Sequence, residues 1–253
     1  MSRGSALLVD LGNSRVKWAV LAGSALGPAA AVAYAGGADV GAVVRSTWER
    51  LPRPERVLVG SVAGGERDDE LRVLSRELWG REPEFARARA QAAGVTSGYA
   101  SPERLGVDRW LALLAAHADG RGAACVVDCG TAVTLDVVDG AGQHRGGLIL
   151  PGLQLMRDCL LAGTRIPPFA APRPCPALGR DTGAAVANGA LLAVVGVVRE
   201  TLARGAGLCG TTLRLVIAGG DAATLAEALD EPAELRADLV LEGLAVVAGT
   251  EET

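Results

Sequence analysis

The sequence predicts an α/β protein of two duplicated domains, each a mixed sheet with helices on its faces. Strand-like apolar runs alternate with helix-length segments along the whole chain. The motif Val9-Asp10-Leu11-Gly12 recurs as Val127-Asp128-Cys129-Gly130, each time ending an apolar strand and preceding a second one. The 253 residues, 49% of them apolar and 21% charged, suffice for two modest cores. The expected division places 1–118 in the first domain and 119–253 in the second, at the turn Asp119-Gly120-Arg121-Gly122.

In chain order, Leu7–Trp18 reads as two strands joined by a tight polar turn, with a third strand around Ala29–Ala35. Asp39 is placed to cap a helix reaching Leu51. Arg56–Ser61 is a buried strand, Asp68–Trp79 a charged helix and Glu84–Ala88 a short strand. Gly94–Leu105 is a polar loop, followed by a helix from Val107 or Asp108 to His117. The pattern then restarts with strands Ala124–Thr131, Val133–Val138 and Gly147–Leu150. Pro151-Gly152 opens a helix to Leu161, the proline-dense Pro167–Pro176 is an extended loop, and Asp181–Ala203 is a long apolar helix. Leu213–Ala218 is a strand ending on Gly219-Gly220-Asp221, with a helix after it to Leu229 and a last helix at Leu239–Gly249.

Composition excludes several classes. A net charge of −4 and a pI near 5.3 speak against a nucleic-acid binder, which needs a basic face. No uninterrupted apolar run approaches the ~20 residues of a membrane span, and the N-terminus lacks signal-peptide sections. A cytoplasmic protein without nucleic-acid or membrane partners is expected. The five cysteines form no CxxC pair and there are two histidines, so structural zinc and a disulfide framework are not expected. The thiols read as buried or incidental and the imidazoles as surface groups. Acid–base work then falls to carboxylates.

Four clusters compete for that work. The first loop offers Asp10, Gly12, Asn13, Ser14 and Lys17; of the 25 basic residues, Lys17 is the only lysine. A lysine serves phosphate as a compact point charge. The second loop offers Asp128, Gly130 and Thr131. Gly219-Gly220 removes side chains where a strand turns toward a helix, which lets a flat ligand approach the backbone. Gly106-Val107-Asp108-Arg109 puts a carboxylate at a helix start beside a guanidinium. Each has a plain alternative: a hairpin turn, a structural Gly-Gly, a helix cap. Together they suit phosphoryl transfer, with two glycine-bearing loops on nucleotide phosphates, acidic groups on Mg²⁺ and one aspartate accepting a proton. Neither a GxxxxGK[ST] loop nor a protein-kinase catalytic loop is present.

The series Asp10-Leu11-Gly12-Asn13-Ser14 with Lys17, Gly106-Val107-Asp108-Arg109-Trp110, Asp128-Cys129-Gly130-Thr131-Ala132-Val133-Thr134 and Gly146–Gly152 resembles the motifs of type III pantothenate kinases. Leu178–Thr182 and Ala218–Ala222 continue it. The resemblance implies the acetate and sugar kinase, chaperone ATPase and actin superfold: two duplicated ribonuclease H-like domains with ATP in the interdomain cleft. It implies ATP-dependent phosphorylation of pantothenate to 4′-phosphopantothenate, the first step of coenzyme A synthesis. It further implies Mg²⁺, a monovalent cation (K⁺ or NH₄⁺) and a homodimer.

On this resemblance Asp10, Leu11, Gly12, Asn13, Ser14, Arg15, Val16 and Lys17 form the first phosphate loop, and Asp10 serves Mg²⁺. Asp108 is the proton acceptor; Gly106, Val107, Asp108 and Arg109 line the substrate, with Tyr99 and Thr182 as further substrate contacts. Asp128 matches the monovalent-cation ligand, Thr131 an ATP contact, and Gly219 and Gly220 the adenosine-side turn. Ser14 stands for a more usual Thr, Asp181 for Asn and Ala218 for Thr. The runner-up readings are a sugar or amino-sugar kinase of the same superfold and a nucleotide-binding regulatory protein that has lost turnover.

Overall fold

The computed structural model describes residues 5–34, 38–170 and 172–250. They form two compact units, one of residues up to Ala118 together with those from Asp238 onward, the other Asp119–Ala237.

In the first unit, β1 (Ser5–Leu11) and β2 (Arg15–Ala22) make an antiparallel hairpin with Asp10 opposite Lys17. β3 (Ala25–Leu26) and β4 (Ala30–Ala33) both pair with β2. After α1 (Val40–Trp48), β5 (Arg56–Ser61) joins β1 in parallel, and after α2 (Gly65–Trp79), β6 (Glu84–Phe85) joins β5 in parallel. The sheet order is β3-β2-β1-β5-β6. A small ribbon of β7 (Gln91–Ala92) and β8 (Val95–Thr96) precedes α3 (Val107–Ala118).

Local chemistry explains these bounds. Asp39 caps α1, its Oδ1 accepting from the Ala42 N–H at 3.0 Å. Gly80 ends α2 in the left-handed conformation, which costs a glycine little. Successive strand residues face opposite ways, so Leu7, Val9 and Leu11 of β1 join Val57, Val59, Leu71 and Leu74 in one core. Trp48 centres it, edge-on to Trp18 and stacked on Trp79 at centroid distances of 6.0 and 5.6 Å.

The second unit repeats the plan. β9 (Ala124–Cys129) and β10 (Ala132–Val138) form a hairpin extended by β11 (His144–Pro151). α4 (Leu153–Gly163) and α5 (Thr182–Cys209) follow. β12 (Arg214–Ala218) then pairs in parallel with β9, and beyond α6 (Ala222–Ala228) β13 (Ala233–Leu235) pairs in parallel with β12. The order β11-β10-β9-β12-β13 reproduces the first sheet position by position. α5 has the length and apolarity of a membrane span, yet Leu191, Val194, Val195 and Val198 pack on the sheet with Val127, Leu135 and Ile217 as its core helix.

The final helix, α7 (Leu239–Thr250), belongs to the first unit, which corrects the expectation that 119–253 forms one domain. It crosses α3 so closely that a Cβ on Gly243 would stand 2.1 Å from the Leu111 carbonyl oxygen. α3 and α7 cover the sheet face opposite α1 and α2, where a Cβ on Gly60 would meet Leu111, Val240 and Leu244. Sequence and structure differ elsewhere too. α2 starts at Gly65 rather than Asp68 because the chain turns through Gly64 and Gly65, both at positive φ. α5 runs on to Cys209, the third-strand segment forms β4, and the short β3 ahead of it was not expected. β13 and the β7–β8 ribbon were not expected. Ala35 of the third-strand expectation and Ala171 of the proline-dense loop lie outside the described residues.

Candidate functional site

The first turn is built on backbone pairing. Gly12 N–H donates to the Arg15 carbonyl at 3.0 Å, and Val62 N–H to the Leu11 carbonyl at 3.1 Å. Asn13, Ser14 and Arg15 are exposed at its tip, while Leu11 and Val16 are buried beneath it. Tyr34, which the sequence did not single out, holds the turn from below. Its hydroxyl donates to the Gly12 carbonyl and its N–H to the Ser14 carbonyl at 3.0 Å. Burial raises the pKa of this hydroxyl, against the pull of Arg67 and with help from Glu70 and Asp10, which keeps it a donor.

Asp10 pairs with Lys17 on one side and Gly60 on the other, so both side chains share the α3/α7 face. The Lys17 ammonium forms an ion pair with Asp238 at 3.2 Å, a partner no local pattern announces. Magnesium is ordinarily held by one or two carboxylates plus substrate phosphates. The partly exposed Asp10 carboxylate, at a strand end beside an open turn, fits that demand. Among the described residues no three His, Cys, Asp or Glu side chains gather into an all-protein metal cage.

The second cluster of this unit surrounds the start of α3. Asp108 lies in the first helical turn, where the helix dipole favours a negative charge. Its Oδ1 accepts the Arg109 N–H at 2.8 Å and stands 2.7 Å from where a Cβ on Gly106 would be. Only glycine at 106 leaves room for this carboxylate. Arg109 is 6% exposed; its Nη1 donates to the Tyr99 hydroxyl at 2.9 Å and its guanidinium lies 5.6 Å from the Tyr99 ring centroid. Tyr99, Gly106, Asp108 and Arg109 therefore form one constellation, with Val107 opening the helix.

In the second unit the C-terminal ends of β9 and β12 meet. Gly219 has φ +93°, and a Cβ there would stand 2.3 Å from the Cys129 carbonyl oxygen and 2.5 Å from Asp128 Oδ1. A carboxylate oxygen and a backbone carbonyl oxygen thus lie side by side against the Gly219 backbone. Gly152 closes the other side: its N–H donates to the Thr131 carbonyl at 2.9 Å, and a Cβ on it would stand 2.2 Å from the Gly130 carbonyl. Asp221 joins the cluster, its N–H bonded to the Cys129 carbonyl at 3.1 Å. Burial raises the Asp221 carboxyl pKa. Gly130, Thr131 and Gly220 are exposed around this floor.

Thr182 comes from a different element. It opens α5 beside Asp181, whose carboxylate caps the helix through the Ala184 N–H at 2.9 Å. With Pro151, Met156, Leu160, Val186 and Ala190 it lines an open, largely apolar cavity of about 950 Å³. All five cysteines are free, and burial pushes Cys125 and Cys129 up to about 12, which leaves them unreactive thiols. His144, expected at the surface, is instead buried with its Nε2 2.9 Å from Asp136 Oδ1. The β10–β11 hairpin carries both residues on one buried sheet face.

Two units of identical strand order, each ending its first hairpin strand on Asp-x-Gly, define an actin-like, two-domain ATPase and kinase fold. A structure of MreB 5 from Spiroplasma citri bound to AMPPNP shares it, with TM-score 0.53 and 11% identity over 100% of this chain and 98% of that one. So does a conserved putative Baf family transcriptional activator from Campylobacter jejuni, with TM-score 0.61 and 18% identity over 98% of this chain and 100% of that one. Within this class the chain belongs to the type III pantothenate kinase family, whose family model matches residues 6–204. The type III pantothenate kinase of Nitrosococcus oceani is 39% identical over 248 residues, 96% of this chain and 93% of that protein.

Proposed function

We infer that this chain transfers the γ-phosphoryl group of ATP to the hydroxyl of pantothenate, giving 4′-phosphopantothenate for coenzyme A synthesis. The observation that carries this is the Asp108 carboxylate, held by the Arg109 N–H against Gly106 in a chain of the type III family. Asp10 would hold Mg²⁺, which would neutralise phosphate charge there. Asp108 accepts the proton of the attacking hydroxyl. Arg109, oriented by Tyr99, presents positive charge to the pantothenate carboxylate. The turn 12–15 and Lys17 take phosphate oxygens on one unit; Thr131, Gly219 and Gly220 receive the nucleotide on the other. Asp128 and the Cys129 carbonyl would hold K⁺ or NH₄⁺.

A homodimer is part of the same proposal. Leu148, Leu155, Leu160 and Leu192 of the second unit are exposed on β11, α4 and α5, an apolar surface that a second copy would cover. Thr182 lines the cavity in this region. The substrates and the acidic charge support a cytoplasmic enzyme without nucleic-acid or membrane partners.

The test is product formation by purified protein with ATP and Mg²⁺, with pantothenate or an amino sugar as acceptor, in potassium or sodium buffer. Phosphopantothenate formed only with potassium is expected. An amino-sugar phosphate would support the sugar-kinase reading instead, and activity indifferent to potassium would remove the role given to Asp128.

A further inference from the structure

We propose that Asp238 is a positioning residue for the phosphate loop, acting by holding the ammonium of Lys17 in place for the ATP phosphates. The proposal rests on the kinase reading, in which Lys17 is a phosphate ligand.

The argument begins with what is rigid. Lys17 lies inside β2, its backbone laddered to Asp10 of β1 on one side and to Ala31 of β4 on the other. Its Cα is fixed, but four methylenes separate Cα from the charge, and a lysine ammonium swings freely unless something holds it. Asp238 is fixed as well. It immediately precedes α7, its carbonyl accepts the Glu242 N–H at 2.9 Å, and α7 is locked to α3 at Gly243. The carboxylate thus reaches Lys17 from a fixed base, with Nζ and Oδ1 3.2 Å apart.

Stability is a poor reason for this pair. Its side chains are 20% and 37% exposed, and ion pairs open to solvent contribute little. Position is a better one. Lys17 projects on the same sheet face as Asp10, beside the exposed turn of residues 13–15. An ammonium has three donors, so it can keep one on Asp238 while turning the others to phosphate oxygens. A chain that uses arginine at every other basic position has its one lysine here, where a compact charge and not a planar fork is called for.

The single lysine also makes the test direct, because lysine-selective ¹⁵N and ¹³C labelling gives one side-chain signal. In the wild type that signal moves on addition of Mg·ATP. In Asp238→Asn it starts from a different position and its response to Mg·ATP is diminished, while Asp238→Glu restores both. In turnover assays Asp238→Asn lowers kcat about tenfold, as expected for a misplaced group, and in a Lys17→Met background it has no further effect. A lysine signal unchanged by Asp238→Asn would overturn the proposal. So would an equal loss of turnover with and without Lys17, which marks a general structural role. If the wild type forms no phosphopantothenate, the kinase reading fails, and the lysine signal still decides whether Asp238 controls Lys17.

Discussion

The carboxylate of Asp108 occupies the space where a side chain at Gly106 would begin, with Oδ1 2.7 Å from an ideal Cβ at 106. Gly106→Ala must therefore swing the carboxylate away from its bond to the Arg109 N–H. We expect turnover to fall about 10- to 100-fold, the scale of a catalytic group displaced by an ångström, while the thermal midpoint changes little. Steady-state kinetics beside a melting curve separates the two effects.

Gly219→Ala is expected to act on stability first. Its Cβ would strike the Cys129 carbonyl, which is backbone and cannot rotate aside, and φ +93° is strained for any L side chain. Strain and overpacking each cost about 1–3 kcal/mol, so a loss of about 2 kcal/mol or more in urea unfolding is expected. A midpoint equal to the wild type would show that the β12 end has room the structure does not display.

Asp221 gives a prediction with a sign in pH. Burial raises its folded-state pKa above the unfolded value, so folding is penalised when the carboxylate is ionised in both states. The penalty is fully present above the folded-state pKa and disappears as pH falls below the unfolded value. Asp221→Asn should then be more stable than the wild type at neutral pH, with the gap closing in acid below the ordinary aspartate range. Denaturant titrations at neutral and acidic pH check this, and a gap that widens in acid would contradict it.

The legible part of this molecule is the part written in local pattern. Two Asp-x-Gly strand ends announced the duplication, and the strands Arg56–Ser61 and Ala124–Cys129 are apolar runs that only a sheet interior accommodates. Asp39 was readable as a cap because capping is settled within three residues. What could not be read is decided by residues far apart in sequence. The apolar Leu239–Thr250 is visibly a buried helix, yet nothing in it states which sheet it covers; the close pass of Gly243 over Leu111 decides that. Tyr34 beneath the first turn and Asp238 beside Lys17 are equally non-local. The two-residue strands β3, β7 and β8 are too short for any period to show. His144 looked like a surface imidazole until the β10–β11 register brought Asp136 to it.

The central claim is that Asp108 takes the proton of the acceptor hydroxyl in an ATP-dependent pantothenate kinase. The most direct measurement is pantothenate phosphorylation by Asp108→Asn, with Mg·ATP affinity measured on the same preparation. Loss of turnover by about 10²–10⁴-fold with ATP affinity nearly unchanged is the predicted result. Turnover close to that of the wild type would contradict it.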